Sequence, residues 1–364
     1  MNKYLLILSI LLLAPAWSSA QEDFPNVSFG GRLQLDYTFF DNDKFDFDNG
    51  GETRRGRLFA RGSLAEDWQF KVQYDFAPND PELKDGYVQY TGLQNSRVWI
   101  GNFKQPSSLE QLTSANNLTF TERALSNSLV EGRRIGVGFQ KWSEQTTWMV
   151  SVYGDEANGL VEGNGVAGRF VYHPQLGDGQ VLHLGLSAAW NEVDGDSIRL
   201  RARPETHQDP HRIVNTGTIT DVDNTTRIGL EAAYVNSRFS AQAELVEFDI
   251  SRRSTSDLSF SGYYAYASYF LTDDRRVYRN NDGTFDKVSP SSTAGAWEIA
   301  LRFSNLDLNH TGVPGGEADL ITFGLNYYAT SNLRFTANYV VADTDSNAGD
   351  DDPGAFQLRM QITF

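Results

Sequence analysis

Apolar and polar residues alternate along most of the chain, from Val27 to its end at Phe364. The first such stretch divides into an apolar face and a polar face: Val27, Phe29, Leu33, Leu35, Tyr37 and Phe39 against Ser28, Arg32, Gln34, Asp36 and Thr38. The same pattern recurs in segments 68–76, 182–190, 297–303 and 333–339. Strict alternation over about eight to ten residues predicts a β-strand with one apolar face. Because no segment shows a helical stripe of comparable length, the pattern predicts an all-β protein.

The connections between these predicted strands fall into two length classes. Short, turn-like segments are 65–67, 92–96, 143–145, 236–237 and 330–332, and longer polar segments are 41–51, 105–131, 191–224 and 272–293. Short turns that alternate with long loops are typical of a transmembrane antiparallel β-barrel, with turns on the periplasmic side and loops outside the cell. The segments predict about sixteen strands, which enclose an aqueous channel and bring both termini to the periplasmic side.

Both ends of the chain favour an exported outer-membrane protein. Lys3, the apolar segment 4–14 and the small residues Ser18-Ser19-Ala20 have the order of a cleaved secretory signal peptide. The segment 356–364 has an apolar residue at every second position and ends on Phe364, which resembles the insertion signal of bacterial outer-membrane proteins. We therefore predict a signal peptide over 1–20 and a single barrel domain over 21–364, surrounded by outer-membrane lipid.

Composition restricts the chemistry of this barrel. The mean hydropathy of -0.43 is that of a soluble protein. In a barrel, however, lipid-facing and lumen-facing residues alternate, so their hydropathies cancel in the mean. There is no cysteine, and the five histidines show no metal-binding spacing, so neither thiolate chemistry nor a metal or other cofactor is predicted. The formal charge of -16 argues against a nucleic-acid partner. It does not exclude an anion pathway, because selectivity depends on the charge that lines a pore.

Arginine is placed unevenly along the chain. Arg55, Arg57 and Arg61 share one strand face, and Arg199, Arg201 and Arg203 repeat the spacing. Because a charge facing lipid is costly, we expect these residues to lie in the lumen or in loops. Guanidinium groups bind phosphate and carboxylate bidentately, so the triplets favour anion handling. The alternative is a wall of mixed charge, in which each arginine is neutralised by an inward acid such as Asp36, Asp75, Asp85, Glu231, Glu244 or Glu298.

Several motifs occur in one order along the chain. They are Arg54-Arg55 with Arg57-Leu58, segment 83–90, segment 101–106, Phe120-Thr121-Glu122-Arg123, Gly132-Arg133-Arg134-Ile135-Gly136, the segment 199–205, Ser268-Tyr269-Phe270-Leu271-Thr272 and Gly295-Ala296-Trp297-Glu298. Together they resemble the phosphate-selective porin O and P family over nearly the whole predicted mature chain. Segment 105–131 also has a mixed apolar and polar composition that favours folding into the barrel.

The resemblance implies a specific architecture and function. It implies sixteen strands, assembly as a homotrimer, and a third loop folded into the pore as a constriction. Arg54, Arg55 and Arg133 or Arg134 match the family's constriction arginines, and Arg199, Arg201 and Arg203 match a ladder that leads to them. The expected function is passive diffusion of small anions, phosphate or polyphosphate-like, through a water-filled channel.

Other functions remain open on the sequence alone. A diffusion porin without phosphate selectivity, or for another solute, has the same fold. A barrel enzyme needs a nucleophile beside a base, and no histidine lies in a local serine motif. A structural barrel has a blocked lumen and no conductance. The sequence favours a channel and predicts no enzymatic activity.

Overall fold

A computed structural model of the chain describes residues 24–77, 80–159, 162–345 and 351–364. The predicted signal peptide, residues 1–20, lies outside these ranges. Within them, sixteen long strands form one closed antiparallel sheet, because the first strand pairs both with the second and with the last. The prediction of an all-β barrel with about sixteen antiparallel strands is confirmed.

The barrel strands, in chain order, are β1 (Asn26–Asp41), β2 (Gly50–Ala65), β3 (Trp68–Asp75), β4 (Glu82–Tyr90), β5 (Ser96–Lys104), β6 (Arg133–Trp142), β7 (Thr146–Tyr153), β8 (Gly165–Tyr172), β9 (Gln180–Glu192), β10 (Val222–Asn236), β11 (Phe239–Arg252), β12 (Leu258–Phe270), β13 (Ala296–His310), β14 (Val313–Tyr328), β15 (Leu333–Asp345) and β16 (Gly354–Thr363). The connections contain short strands at Gln175–Gly177, Ser197–Ile198, Arg201–Ala202, Val214–Asn215, Ile219–Thr220, Val277–Arg279 and Thr284–Asp286. An α-helix, α1 (Leu109–Leu112), and a 3-10 helix (Leu125–Leu129) lie between β5 and β6. Among the described residues, no helix is long and apolar enough to cross a membrane.

Side chains of the barrel strands alternate between an outer face and a lumen face, as the sequence predicts. On β1, Leu35 and Tyr37 are exposed on the outer face, whereas Gln34, Asp36 and Thr38 are buried inside the barrel. Exposed Leu, Ile, Val and aromatic side chains continue this outer face on the other barrel strands. An apolar outer band is what contact with the hydrocarbon core of a bilayer requires.

The two ends of the barrel differ in their connections. The first described residues, at the start of β1, and the last residues of the chain lie at one end, called here the termini end, and the opposite end is called the loop end. Because neighbouring strands are antiparallel, each odd-numbered strand leads to the loop end and each even-numbered strand to the termini end. The predicted short turns all lie at the termini end, and the predicted loops 41–51, 105–131 and 191–224 all lie at the loop end.

The fourth long segment is placed differently from the prediction. Residues 271–295, called here the inserted turn, join β12 to β13 at the termini end rather than at the loop end. Their polar composition is that of an outer loop, but their position after an even-numbered strand fixes the end at which they emerge. Their hairpin folds back into the lumen, where Asp282 pairs with Arg97 of β5.

A large apolar cluster fills part of the lumen near the loop end. The fifth loop, residues 193–221, contributes Leu200, Ala202, Ile213, Val214 and Ile219 to this cluster. It packs against lumen-facing side chains of the wall, among them Val246, Phe248, Ile250, Leu306, Leu308 and Leu320. The lumen face is therefore apolar where the fifth loop covers it and polar where it lines the water-filled passage.

Candidate functional site

The third loop, residues 105–132, crosses the inside of the barrel, as the sequence predicts. Its backbone carbonyls accept hydrogen bonds from side chains of distant wall strands. Arg334 donates to the Leu118 carbonyl at 2.6 Å and to the Thr119 carbonyl at 2.8 Å, and Arg302 donates to the Glu122 carbonyl at 3.0 Å. These bonds satisfy backbone groups that a loop without strand partners otherwise leaves to water. The loop is therefore held rigidly across the passage.

Helix α1 of the third loop is capped from both sides. Glu244 of β11 accepts from the backbone N–H groups of Leu109 and Glu110, at 3.0 and 2.7 Å, where a negative charge is favoured. At the other end, Lys104 and Arg123 donate to the free carbonyls of residues 110–113. Within the described ranges, neither cation has a carboxylate within ion-pair distance. Their positive charges therefore remain largely available to the passage.

The motif Phe120-Thr121-Glu122-Arg123 gathers cationic groups around one carboxylate. Glu122 contacts Arg54 at 2.8 Å, Arg55 at 3.3 Å and Arg359 at 2.8 Å. Burial by itself raises the pKa of Glu122, but these three arginines hold it well below its usual range. Arg359 also binds Asp36 at 2.6 Å, so three guanidinium groups share two carboxylates and leave a net positive charge beside the third loop.

A β-bulge explains how two consecutive arginines face the lumen. Between β1 and β2, Gln34 pairs with Arg55 and Leu35 pairs with Thr53, so Arg54 is the extra residue. A bulge interrupts the alternation of side chains by one position. Strict alternation places Arg54 on the lipid face, whereas the bulge lets its side chain reach Glu122 of the third loop.

A second group of cations lies nearer the termini end. Arg57 pairs with Asp75 at 2.6 Å, and Lys71 and Arg133 share Asp85 at 2.5 and 2.8 Å. Arg32 faces Arg57 across the β1–β2 ladder. It makes no hydrogen bond or ion pair with any residue that the structure describes, and its Nη1 is buried without an acceptor.

These groups surround a chamber of about 700 Å³ between the third loop and the inserted turn. Twelve cationic side chains line it: Arg32, Arg55, Arg57, Arg61, Lys71, Arg97, Lys104, Arg123, Arg133, Arg169, Arg279 and Lys287. Only three acidic side chains join them in the described part of the lining, Asp85, Asp282 and Asp286. Three further carboxylates outside the lining bind its arginines: Glu122 binds Arg55, Asp75 binds Arg57 and Glu231 binds Arg169. Cations therefore still outnumber carboxylates, and the interior is net positive although the chain as a whole carries -16.

The second arginine triplet lies on the fifth loop near the loop end. Leu200 and Ala202 are buried, and Arg199 and Arg201 between and beside them are exposed, so the alternation predicted for this segment is present in a loop hairpin rather than in a wall strand. Among described residues, no carboxylate lies within 4.0 Å of Arg199, Arg201 or Arg203. Glu205 anchors the hairpin by pairing with Arg302 of β13.

Arg212 belongs to the same cluster, although the sequence did not single it out. Its pKa is lowered to about 10 by burial and by the nearby charges of Arg203, Arg201 and Arg199. Arg203 in turn lies within electrostatic range of Arg54 at the constriction. The short hairpin that pairs Arg201–Ala202 with Val214–Asn215 brings Arg212 close, and no spacing rule predicts that pairing.

Comparison with known proteins identifies the family. The family described as phosphate-selective porin O and P matches residues 27–364. The chain belongs to this family. Porin O of Pseudomonas aeruginosa is 28% identical over 387 residues, which cover 92% of this chain and 87% of that protein. The protein is thus a porin of the bacterial outer membrane.

Solved porin structures share the fold of this family member. An anion-selective porin from Comamonas acidovorans superposes with a TM-score of 0.61 at 14% identity, covering 93% of this chain and 99% of that chain. The trimer form of OmpT from Vibrio cholerae superposes with a TM-score of 0.59 at 12% identity, with the same coverage. Family membership identifies the protein as a channel-forming porin.

In this porin, the predicted arginines divide into three sets. Arg55, Arg57, Arg61 and Arg133 line the chamber, with Arg54 beside them at Glu122, and Arg199, Arg201 and Arg203 lie towards the loop end. Arg134 lies outside the chamber, because its side chain is buried and donates to the carbonyls of Gly154 and Gly163. It holds the loop between β7 and β8 instead of facing the passage.

Proposed function

We propose that this porin is an anion-selective channel through which phosphate and related small anions diffuse passively into the periplasm. The observation that carries the proposal is the lining of the chamber, in which twelve cationic side chains face three acidic ones. A positive lining concentrates anions locally even when the net charge of the protein is negative. The termini end, by this proposal, faces the periplasm.

The arginines form a series of partial sites along one route. An anion arriving at the loop end meets the cluster of Arg199, Arg201, Arg203 and Arg212. It then passes the guanidinium groups around Glu122 and enters the chamber. Several weak sites in series raise the occupancy of an ion without trapping it at any one of them.

The group around Arg32 favours phosphate over a simple halide. Its guanidinium has a buried donor without an acceptor, and Arg57 and Arg133 lie within electrostatic range. A phosphate oxygen is a strong acceptor that a guanidinium fork binds in two places, whereas chloride offers no such geometry. The carboxylates of Asp75 and Asp85 neutralise part of the charge, which keeps an ion from being held too tightly.

The test is a planar-bilayer recording of the purified wild-type protein in a KCl gradient. We expect the sign of the reversal potential to show that chloride permeates more readily than potassium. We also expect inorganic phosphate to reduce the chloride current. Cation selectivity would contradict the proposal. An anion-selective pore that phosphate does not block would instead identify a general anion porin without phosphate selectivity.

The charge of the fifth-loop cluster is expected to matter more at low salt. Replacing Arg199, Arg201 and Arg203 together by Ala should shift the reversal potential towards cations and reduce chloride conductance. The effect should shrink at about 1 M salt, where the Debye length falls to roughly 3 Å. Replacing the same three residues by Lys keeps the charge and should preserve selectivity. A triple Ala variant with unaltered selectivity would show that the cluster does not attract anions.

The proposed channel also includes assembly as a homotrimer. The support is the family together with the trimer form in which OmpT of Vibrio cholerae has been solved. Chemical crosslinking of the protein in outer-membrane fragments should give a product of three times the monomer mass.

A further inference from the structure

The chamber wall carries aromatic rings at positions where a water-filled pore normally has polar groups. Phe59 lies on the lumen face of β2, between Arg57 and Arg61, and lines the chamber. Trp99 and Phe103 of β5 line the same chamber and stack on each other, with ring centroids 5.9 Å apart and planes inclined by 20°. The chamber therefore offers apolar surfaces as well as positive charge.

Glycines in the neighbouring strands make room for these rings. A Cβ atom on Gly30 would lie 2.4 Å from the Cζ atom of Phe59, and one on Gly138 would lie 2.9 Å from the Cζ atom of Phe103. Both rings consequently lie against the barrel wall, where a side chain in place of glycine would collide with them. Phe59 remains partly exposed to the chamber, whereas Phe103 is buried.

Cations stand directly beside Phe59. The strand register places Arg61, Lys71 and Tyr87 in one row across β2, β3 and β4. Arg61 and Lys71 lie 5.4 and 5.7 Å from the centroid of the Phe59 ring.

Arg61 differs from the other cations of this row. Lys71 is bound to Asp85, whereas the exposed guanidinium of Arg61 forms no ion pair or hydrogen bond with the residues in the described ranges. Its guanidinium is therefore free to bind a ligand anion beside an aromatic ring. Arg32 lies nearer the loop end than Arg61, because it stands opposite Arg57.

We propose that this part of the chamber is a second binding site, specific for organic anions whose charged group is attached to a flat ring. Arg61 binds the charged group and Phe59 contacts the ring, and the buried Trp99–Phe103 pair, with Arg97 over Trp99, forms part of the chamber wall. Inorganic phosphate uses only the charge, whereas an aryl phosphate or aryl carboxylate uses both features. This inference rests on the proposed anion pathway, because the ligand must enter the chamber.

Block of the chloride current by two phosphate esters of equal charge tests the proposal. Phenyl phosphate carries a ring and methyl phosphate does not, and each is added in turn to both sides of a bilayer that contains the wild-type porin. We expect phenyl phosphate to reach half-block at a concentration about three- to tenfold lower, the size of one favourable ring contact. Phe59→Ala should remove most of this difference and leave block by inorganic phosphate unchanged.

A matched control and the wild-type comparison keep the test decisive. Phe323→Ala removes a ring that is exposed on the outer face and should leave the difference between the esters intact. Equal block by the two esters in the wild-type porin would overturn the second site while leaving the anion channel in place. Retention of the preference in a folded Phe59→Ala variant would overturn it as well. A cation-selective wild-type pore would overturn the anion channel itself.

Discussion

Removing the third loop should raise the single-channel conductance roughly two- to fivefold, because the narrowest part of a pore governs conduction. The loop crosses the barrel and is bonded to the opposite wall through Glu244, Arg302 and Arg334. Without it, the passage is limited by the wall and by the inserted turn. The deletion removes three carboxylates, Glu110, Glu122 and Glu131, and one cation, Arg123. Block by phosphate should nevertheless weaken, because attraction between charges falls in a wider and more hydrated passage.

The strand register shows how to make this deletion without disturbing the sheet. Lys104 and Arg133 are paired at the ends of β5 and β6, and the N–H of Gln105 donates to the Gly132 carbonyl at 2.9 Å. Residues 106–131 can therefore be replaced by Asn-Gly, the dipeptide that favours a two-residue hairpin turn. The wall side chains that lose their partners then face water, which solvates them.

Folding of the deletion variant must be established independently of conductance. Circular dichroism and resistance of the unheated barrel to sodium dodecyl sulfate are suitable measures. A folded variant with unchanged conductance would show that the third loop does not form the constriction. In that case the inserted turn would be the remaining narrow element, and shortening it at the tip of its hairpin, residues 280–282, would be the next step.

The alternation of apolar and polar residues predicts most of this fold because lipid and water impose opposite demands on the two faces of every strand. Leu35 and Tyr37 follow the rule on the outer face, and Gln34 and Asp36 follow it inside. The rule fails where another part of the chain, rather than water, covers the lumen face of a strand. Phe248 and Ile250 face the lumen but are apolar, because the fifth loop covers them.

The functional residues were predictable only in part. Arg55, Arg57 and Arg61 follow from alternation, but Arg54 faces inward through a bulge that alternation does not contain. Lys104 and Arg123 escape any spacing rule, because they meet only when the third loop folds across the lumen. The sequence likewise does not predict which cations lack a carboxylate partner, because tertiary contacts decide which carboxylates approach them.

The inserted turn shows a different limit of prediction from the sequence. Its length and polarity predict an outer loop, and only the correct count of strands before it reveals that it emerges at the termini end. Tyr278 of this segment reaches His183 of the wall, with 2.6 Å between the hydroxyl oxygen and Nδ1, and Arg169 donates to the Gly283 carbonyl. These contacts turn a flexible-looking sequence into one side of the chamber.

The substitution Arg32→Gln should strongly weaken the block of the chloride current by phosphate, because the guanidinium of Arg32 has no partner of its own. A hydrogen bond to a charged group contributes about 1.5–3 kcal/mol, and each 1.4 kcal/mol corresponds to tenfold in affinity. The half-blocking concentration of phosphate should therefore rise roughly ten- to hundredfold. The reversal potential should keep its sign, because the other cations of the lining remain.

The same substitution distinguishes a binding role from a structural one. The guanidinium of Arg32 forms no hydrogen bond or ion pair within the described part of the chain, and it lies close to the like charges of Arg57 and Arg133 as well as to Asp75 and Asp85. Replacing it by Gln removes a buried, repelled charge, so the barrel should unfold at the same or a slightly higher denaturant concentration. Arg253→Gln, on an exposed loop where Arg253 pairs with Asp196, is the matched control and should change neither block nor stability.

A folded Arg32→Gln porin that phosphate blocks as strongly as the wild type would show that phosphate binds elsewhere along the passage. Weaker block at unchanged stability would identify the guanidinium of Arg32 as part of the phosphate site, because a group that only supported the fold would lower stability when removed.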